Sequence, residues 1–250
     1  MNNLLDIRTP AQAEASARRS DYGLENHGLS NLGTVYWNLP TEALYEEIAF
    51  RREARITRQG PIVAFTGKHT ARSAGDKFVV REPATEDRIW WGEYNRPFSP
   101  DKFDELFGRL AGFLQGRDLF VQDCYAGADP GHRMAIRIVT ELAWHSHFAR
   151  NMFLLPETNE EYRRHVPDFT VLCVPSFKGI PQIDATPGNT FIVLNFAQRL
   201  CIIGNTAYAG EIKKSVFTIL NFLLPLDGVM PMHCSANIGD TGDSAIFFGL

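Results

Sequence analysis

Apolar residues in this chain come in short blocks, and the spacing inside each block predicts its element. Continuous apolar runs predict strands at 61–65, 78–80, 119–125, 169–174, 190–194, 200–203 and 245–248, those at 169–174 and 245–248 of the buried type. Residues 232–238 alternate instead: Met232, Cys234, Ala236 and Ile238 share one face, while His233, Ser235 and Asn237 share the other. Helical spacing predicts three longer helices. The first is capped by Thr41, with Glu42 in its first turn and Leu44, Ile48 and Ala49 inward. The second opens at Ser99-Pro100 and runs to about Gln115, burying Leu106, Leu110, Phe113 and Leu114. The third starts at Glu211, buries Ile212, Val216, Ile219, Leu220, Leu223 and Leu224, and ends at Pro225. Residues 132–153 fit a strand leading into a helix that carries Trp144, His145 and His147. A short helix is expected over 11–19, turns over 127–131 and 239–243, and a loop over 175–188, which holds three prolines and two glycines. The pattern is mixed α/β, with more strands than long helices and no strict βαβ alternation.

Composition fits that picture. At 250 residues, 44% hydrophobic and 22% charged, the chain can bury a core as one large domain or two small ones. A net charge of −4 gives no basis for a nucleic-acid or anionic-membrane partner. No apolar run reaches the ~18 residues of a membrane span, and the first residues lack the basic-then-apolar pattern of a secretory leader. Cys124, Cys173, Cys201 and Cys234 are scattered without C-x-x-C spacing, three of them in apolar runs. Buried thiols in a reducing compartment are expected, and with them a cytoplasmic location.

Three stretches carry candidate chemistry. Residues 66–77 form a loop between two strands and present Lys68, His69, Arg72 and Lys77. Residues 204–210 form a glycine-bearing loop with Tyr208, and Lys213 and Lys214 follow in the first turn of a helix. Cations there oppose the helix dipole, a placement that makes sense when an anion or metal complex compensates. The third stretch is His233 with Ser235 and Asn237, polar groups that need partners if buried. Competing readings are plain: solvated lysines, a hydrogen-bonded structural His233, a loop histidine at His69, and a solvated helix end at the charge run 51–55. His145 and His147, two apart on a helix, face different sides and form no chelating pair. Gly249 and Leu250 follow a predicted strand and supply the first two positions of a G-x-x-x-x-G-K-[ST] phosphate loop.

Four motifs resemble those of the ATP-dependent phosphoenolpyruvate carboxykinases. They are Phe-Thr-Gly-Lys-His-Thr-Ala-Arg-Ser-Ala-Gly-Asp-Lys-Phe at 65–78, Trp-Trp-Gly-Glu-Tyr-Asn-Arg-Pro at 90–97, Tyr-Ala-Gly-Glu-Ile-Lys-Lys-Ser at 208–215 and Met-Pro-Met-His-Cys-Ser-Ala-Asn at 230–237. The resemblance extends from about 29 to 250. It implies a mixed-sheet α/β N-terminal domain of that family's type over 29–226, after a flexible segment at 1–28. Residues 227–250 would begin a P-loop-containing nucleotide domain. It also implies conversion of oxaloacetate and ATP to phosphoenolpyruvate, ADP and CO2, a step of gluconeogenesis. By matching position, Arg72 would bind a substrate carboxylate and Tyr208 would contact substrate or departing CO2. Lys214 and His233 would ligate a catalytic Mn2+, with Lys214 also touching substrate, and Lys213 would lie beside the substrate and phosphoryl groups. Gly249 and Leu250 would lead into the site for ATP, which carries Mg2+. Neither nucleic acid nor membrane is an expected partner, and a monomer is expected. The family has glycine at the position of Ala71 and proline at that of Ala74, so the loop holding Arg72 is expected to sit differently. Family members continue past this point into the rest of the nucleotide site, so the chain alone is expected to lack turnover. The alternative is a non-catalytic domain that holds a dicarboxylate through Arg72, Lys213 and Lys214.

Overall fold

The structure, a computed structural model, describes residues 18–249. Leu250 and most of the helix expected over 11–19 lie outside the described residues. The chain divides into two compact units, 1–215 and 216–250.

In the first unit one eight-stranded mixed sheet forms the centre. Its strands are β1 (Val35–Trp37), β4 (Lys77–Val80), β5 (Arg96–Phe98), β6 (Leu119–Ala126), β7 (Met134–Thr140), β8 (Phe169–Val174), β9 (Phe191–Asn195) and β10 (Leu200–Gly204), in the order β1-β6-β7-β8-β10-β9-β4-β5. β2 (Ala54–Ile56) and β3 (Ile62–Ala64) pair separately as an antiparallel ribbon. β6–β7 and β9–β10 are antiparallel, and the other ladders of the large sheet are parallel. β8, β9 and β10 are buried at every residue, as continuous apolar runs covered on both faces should be.

Helices cover the sheet on two sides. α2 (Pro100–Leu114) buries Phe103, Leu106, Leu110 and Leu114 in a cluster with Leu119, Val121, Val139, Leu172, Val193 and Ile202. Phe113, expected inward, packs only at the edge of this cluster. α1 (Thr41–Phe50) and α3 (Ala143–Met152) pack on the other side, where Leu44, Ile48 and Ala143 meet Tyr36 and Phe120. In α1 the cap position is Pro40 and Thr41 is already helical, while Ala43 is buried and Ala49 is exposed. The charge run after α1 is not simply solvated. Arg51 bonds Glu47 and Asp118, each at 2.8 Å, over the Tyr36 and Phe120 rings, and Glu53 accepts the N–H groups of Ala143 and Trp144. That carboxylate meets orphan donors at the start of α3.

Two short helices complete this unit, α4 (Asn159–Arg164) and α5 (Pro181–Asp184). α5 interrupts the loop expected over 175–188. Pro181 starts it, and the buried Asp184 carboxylate, held by Arg109, accepts the Ile180 N–H at 2.6 Å.

Buried polarity ties the chain before β1 to the sheet. Asp123 on β6 and Arg137 on β7 are cross-strand neighbours and both fully buried. Arg137 Nε donates to Asp123 Oδ1 at 2.6 Å and Nη1 to the Tyr22 carbonyl at 2.5 Å, while Asn38 Oδ1 accepts the Asp123 N–H. Ser20 Oγ donates to the His165 carbonyl.

α6 (Gly210–Leu226) crosses from one unit into the other. Pro225 lies inside its last turn rather than after it, and Gly228 N–H still reaches the Pro225 carbonyl. In the second unit β11 (Ser235–Ile238) and β12 (Ser244–Phe247) form an antiparallel pair closed by the expected turn. Two expectations fail here. Strand pairing begins only at Ser235, so His233 precedes the strand and meets the Phe217 ring at 5.7 Å. The run at 245–248, expected buried, is exposed, because among the described residues β12 has one strand partner and no packed layer.

Cys124, Cys173 and Cys201 are buried and Cys234 is exposed, so the expectation of buried thiols holds for three of the four. No helix among the described residues is long and apolar enough to cross a membrane.

Candidate active site

Sheet register brings two loops to one edge. Lys77, the first residue of β4, pairs with Ile192 near the start of β9, and Ile192 pairs with Ile203 near the end of β10. The loop entering β4 (66–76) and the loop leaving β10 (205–209) therefore meet at the same end of the sheet.

Side chains fix the first loop. His69 lies between Ser73 Oγ, 2.9 Å from Nδ1, and Thr190 Oγ1, 3.0 Å from Nε2. It is a structural loop histidine, as composition suggested. Arg96 donates to the Gly75 carbonyl at 2.7 Å, and a 3-10 turn runs over Ala74–Asp76. Neither Ala71 nor Ala74 has a positive φ, so these two alanines bring no left-handed strain to the Arg72 loop. The ground given above for expecting a displaced loop is absent.

The second loop needs two close approaches. A Cβ at Gly204 would fall 2.3 Å from the Phe191 ring, and one at Gly210 would fall 2.4 Å from the Tyr208 ring. Asn205 takes a φ of 57°, which asparagine tolerates, and donates to Thr190 Oγ1 at 3.0 Å. Thr206 Oγ1 accepts the Tyr208 N–H, and the Ala207 carbonyl lies 2.9 Å from His145 Nε2.

At the start of α6 the fully buried Glu211 carboxylate faces the first loop. Its Oε1 accepts the Ser73 N–H at 2.6 Å, and its Oε2 lies 3.2 Å from Lys77 Nζ, an ion-pair distance without hydrogen-bond alignment. Lys213 closes the first turn and Lys214 opens the second. Burial lowers the Lys214 amine below its ordinary value, and Arg72, Lys213 and Lys77 lower it further by repulsion. Lys214 thus lies within electrostatic reach of three other cations, one of which, Lys77, pairs with Glu211.

A cleft of about 470 Å3 opens beside this corner, lined in part by Lys68, His69, Lys178, Asn205 and Ala207. A cavity of about 520 Å3 by Leu24, Leu29, Trp37 and Leu39 holds none of the candidate residues.

Of the residues singled out by sequence, Arg72, Tyr208, Lys213 and Lys214 belong to this corner of the first unit. His233 and Gly249 belong to the second unit, and Leu250 lies outside the described residues. Among the described residues no group of three or more His, Cys, Asp and Glu side chains is placed to hold a metal. A metal here would need nitrogen donors, and a lysine donates only as the neutral amine, the form that the surroundings of Lys214 favour. Sequence reasoning overlooked Glu211 as a site residue. Its one signal was an acidic residue at the helix start just before two lysines, which reads equally well as a dipole partner.

The protein-family model described as phosphoenolpyruvate carboxykinase matches residues 33–250. A relative from Geobacter sp. (strain M21), named phosphoenolpyruvate carboxykinase (ATP), is 54% identical over 228 residues, covering 91% of this chain and 43% of its own. Relatives of the same name from Geotalea uraniireducens and Thermus thermophilus are 54% and 49% identical, over 91% of this chain and 43% and 44% of theirs. This chain therefore spans less than half the length of the curated relatives it matches. With the family match running through both sheet-edge loops and the lysine pair, the chain belongs to the ATP-dependent phosphoenolpyruvate carboxykinase family.

Proposed function

We propose that this chain binds oxaloacetate and takes part in its ATP-dependent conversion to phosphoenolpyruvate, ADP and CO2. The observation that carries this reading is the corner where Arg72, Lys77 and Lys213 lie close enough to Lys214 to lower its amine, with Lys77 paired to the buried Glu211, in a family whose relatives are named for the reaction. Oxaloacetate is a dianion. The planar Arg72 guanidinium can take one of its carboxylates in a two-point bond that an ammonium cannot reproduce. Loss of the other carboxylate as CO2 leaves an enolate, and a Lys213 ammonium held nearby stabilises that developing charge. Tyr208 offers a phenolic O–H to substrate or departing CO2. Attack of the enolate oxygen on the γ-phosphate of Mg2+-bound ATP completes the transfer, with the cations offsetting phosphate charge.

The Lys214 amine suits a divalent metal for the reason given above, and the His233 imidazole of the second unit is a donor of the same class. When bound, an ion such as Mn2+ supplies Lewis-acid stabilisation of the enolate oxygen.

Calorimetry with oxalate, which mimics the enolate's two oxygens, tests the reading. Charged hydrogen bonds are worth about 1.5–3 kcal/mol, so Arg72→Ala should bind oxalate roughly ten- to a hundredfold more weakly than the parent chain. Arg72→Lys should fall between them. Equal binding by Arg72→Ala would remove Arg72 from the site. Oxalate binding that Mn2+ does not alter, but that Arg72→Ala and Lys214→Ala both weaken, would favour the plain dicarboxylate-binding alternative.

A further inference from the structure

Among the described residues no side chain forms an ion pair or hydrogen bond with the Arg72 guanidinium, which is exposed, so the backbone of its loop sets its position. The neighbouring Ser73 N–H is held at 2.6 Å by Glu211, and the end of the loop, Lys77, lies 3.2 Å from the other oxygen of the same carboxylate. Glu211 shares a helical turn with Lys213 and precedes Lys214 by three residues. One side chain therefore spans the guanidinium loop and the lysine pair.

The charge of Glu211 makes this placement informative. A fully buried carboxylate costs several kcal/mol unless it is compensated. Here the Ser73 amide, the Lys77 ammonium and the amides at the helix start compensate it. Yet a negative charge set among the cations of an anion site weakens their pull on any anionic ligand. An acid that works against binding by charge needs another reason to be there, and its contacts supply one.

We propose that Glu211 is a positioning residue for the anion site, holding the Arg72 loop in register with Lys213 and Lys214. This inference rests on the reading that Arg72 and the lysines bind the substrate's anionic groups. Charge and position predict opposite signs. If Glu211 acted by charge alone, removing it would tighten oxalate binding; as a positioning residue, its removal weakens binding.

The test compares the parent chain with Glu211→Ala and Glu211→Gln, by amide hydrogen exchange over residues 70–77 and by oxalate calorimetry, with thermal melting as a control for folding. In Glu211→Ala the Ser73 amide should lose protection and oxalate affinity should fall by about tenfold, the loss of one charged hydrogen bond. Glu211→Gln keeps an acceptor of the same shape for Ser73, so it should recover the protection and most of the affinity. Unchanged protection of the loop in Glu211→Ala overturns the proposal, as does oxalate binding equal to or tighter than that of the parent. A parent chain that fails to bind oxalate removes the substrate reading instead, and the exchange data alone then decide whether Glu211 holds the loop.

Discussion

His145 lies wholly inside the first unit, 2.9 Å from the Ala207 carbonyl through Nε2, with Thr140 Oγ1 and Cys173 Sγ at 3.3 and 3.6 Å from Nδ1. Burial pushes its pKa down to about 4, although the bond to Ala207 works the other way. The imidazole is thus neutral in the folded chain down to about pH 4, whereas the unfolded chain takes up the proton near 6.5. Stability from this group is complete above about pH 6.5 and drains away as pH falls toward 4, by on the order of 3 kcal/mol. His27, also lowered to about 4 by burial first and Arg137 second, acts in the same sense. Urea unfolding between pH 4.5 and 7 should therefore show a shallower pH slope in His145→Gln than in the parent; identical slopes would contradict the assignment. The sequence did separate the two histidines, since His147 lies on a half-exposed side of α3 while His145 is buried. It could not reveal that His145 reaches the carbonyl just before Tyr208, because that contact joins residues 62 apart. The same holds for Glu211 and Ser73, 138 apart. Candidate residues were legible as types in motifs, and their supports were not.

Strands and long helices were the legible elements, because each imposes a period on its own residues. The run at 169–174 became β8 with the expected bounds, and the ambiguous 132–153 resolved into β7 and α3. Where local signals failed, a contact or its lack decided the outcome. Asp184 turned part of a loop into α5, Pro225 stands inside the last turn of α6 although it brings no N–H to the helix, and β12 is left exposed despite its apolar run. Within β6 and β7, charges lie inside otherwise apolar blocks, and only the register explains them, by setting Asp123 opposite Arg137. Removing one partner strands the other in the interior. Asp123→Ala should cost about 3–5 kcal/mol in urea unfolding, whereas Asp123→Leu with Arg137→Leu should cost clearly less. A double variant as unstable as the single would show that the buried network, with Asn38 and the Tyr22 carbonyl, needs both charges.

The order of the large sheet was beyond reach of the sequence. β9 and β10 are consecutive neighbours, but β4 joins β9 across more than 100 residues and β6 joins β1 across more than 80. Such pairings leave no local period, and they are what brings the Arg72 and Tyr208 loops to one edge. The family motifs therefore identified the residues at this edge, while only the ladder explains why they meet. Burial also divides the cysteines. It raises the thiols of Cys124 and Cys173 well above the ordinary range and that of Cys201 to about 12, whereas Cys234 is exposed. A thiol reagent such as Ellman's should titrate one cysteine in the native chain and four after unfolding; more than one fast-reacting native thiol would contradict the packing around β6, β8 and β10. That asymmetry makes the wild-type chain ready for single-site labelling. A fluorophore or spin probe coupled through maleimide would attach beside His233 without any cysteine being engineered away. Added Mn2+, being paramagnetic, should quench or broaden the probe's signal if the ion binds near that histidine, and an unchanged signal would count against the metal role proposed for His233.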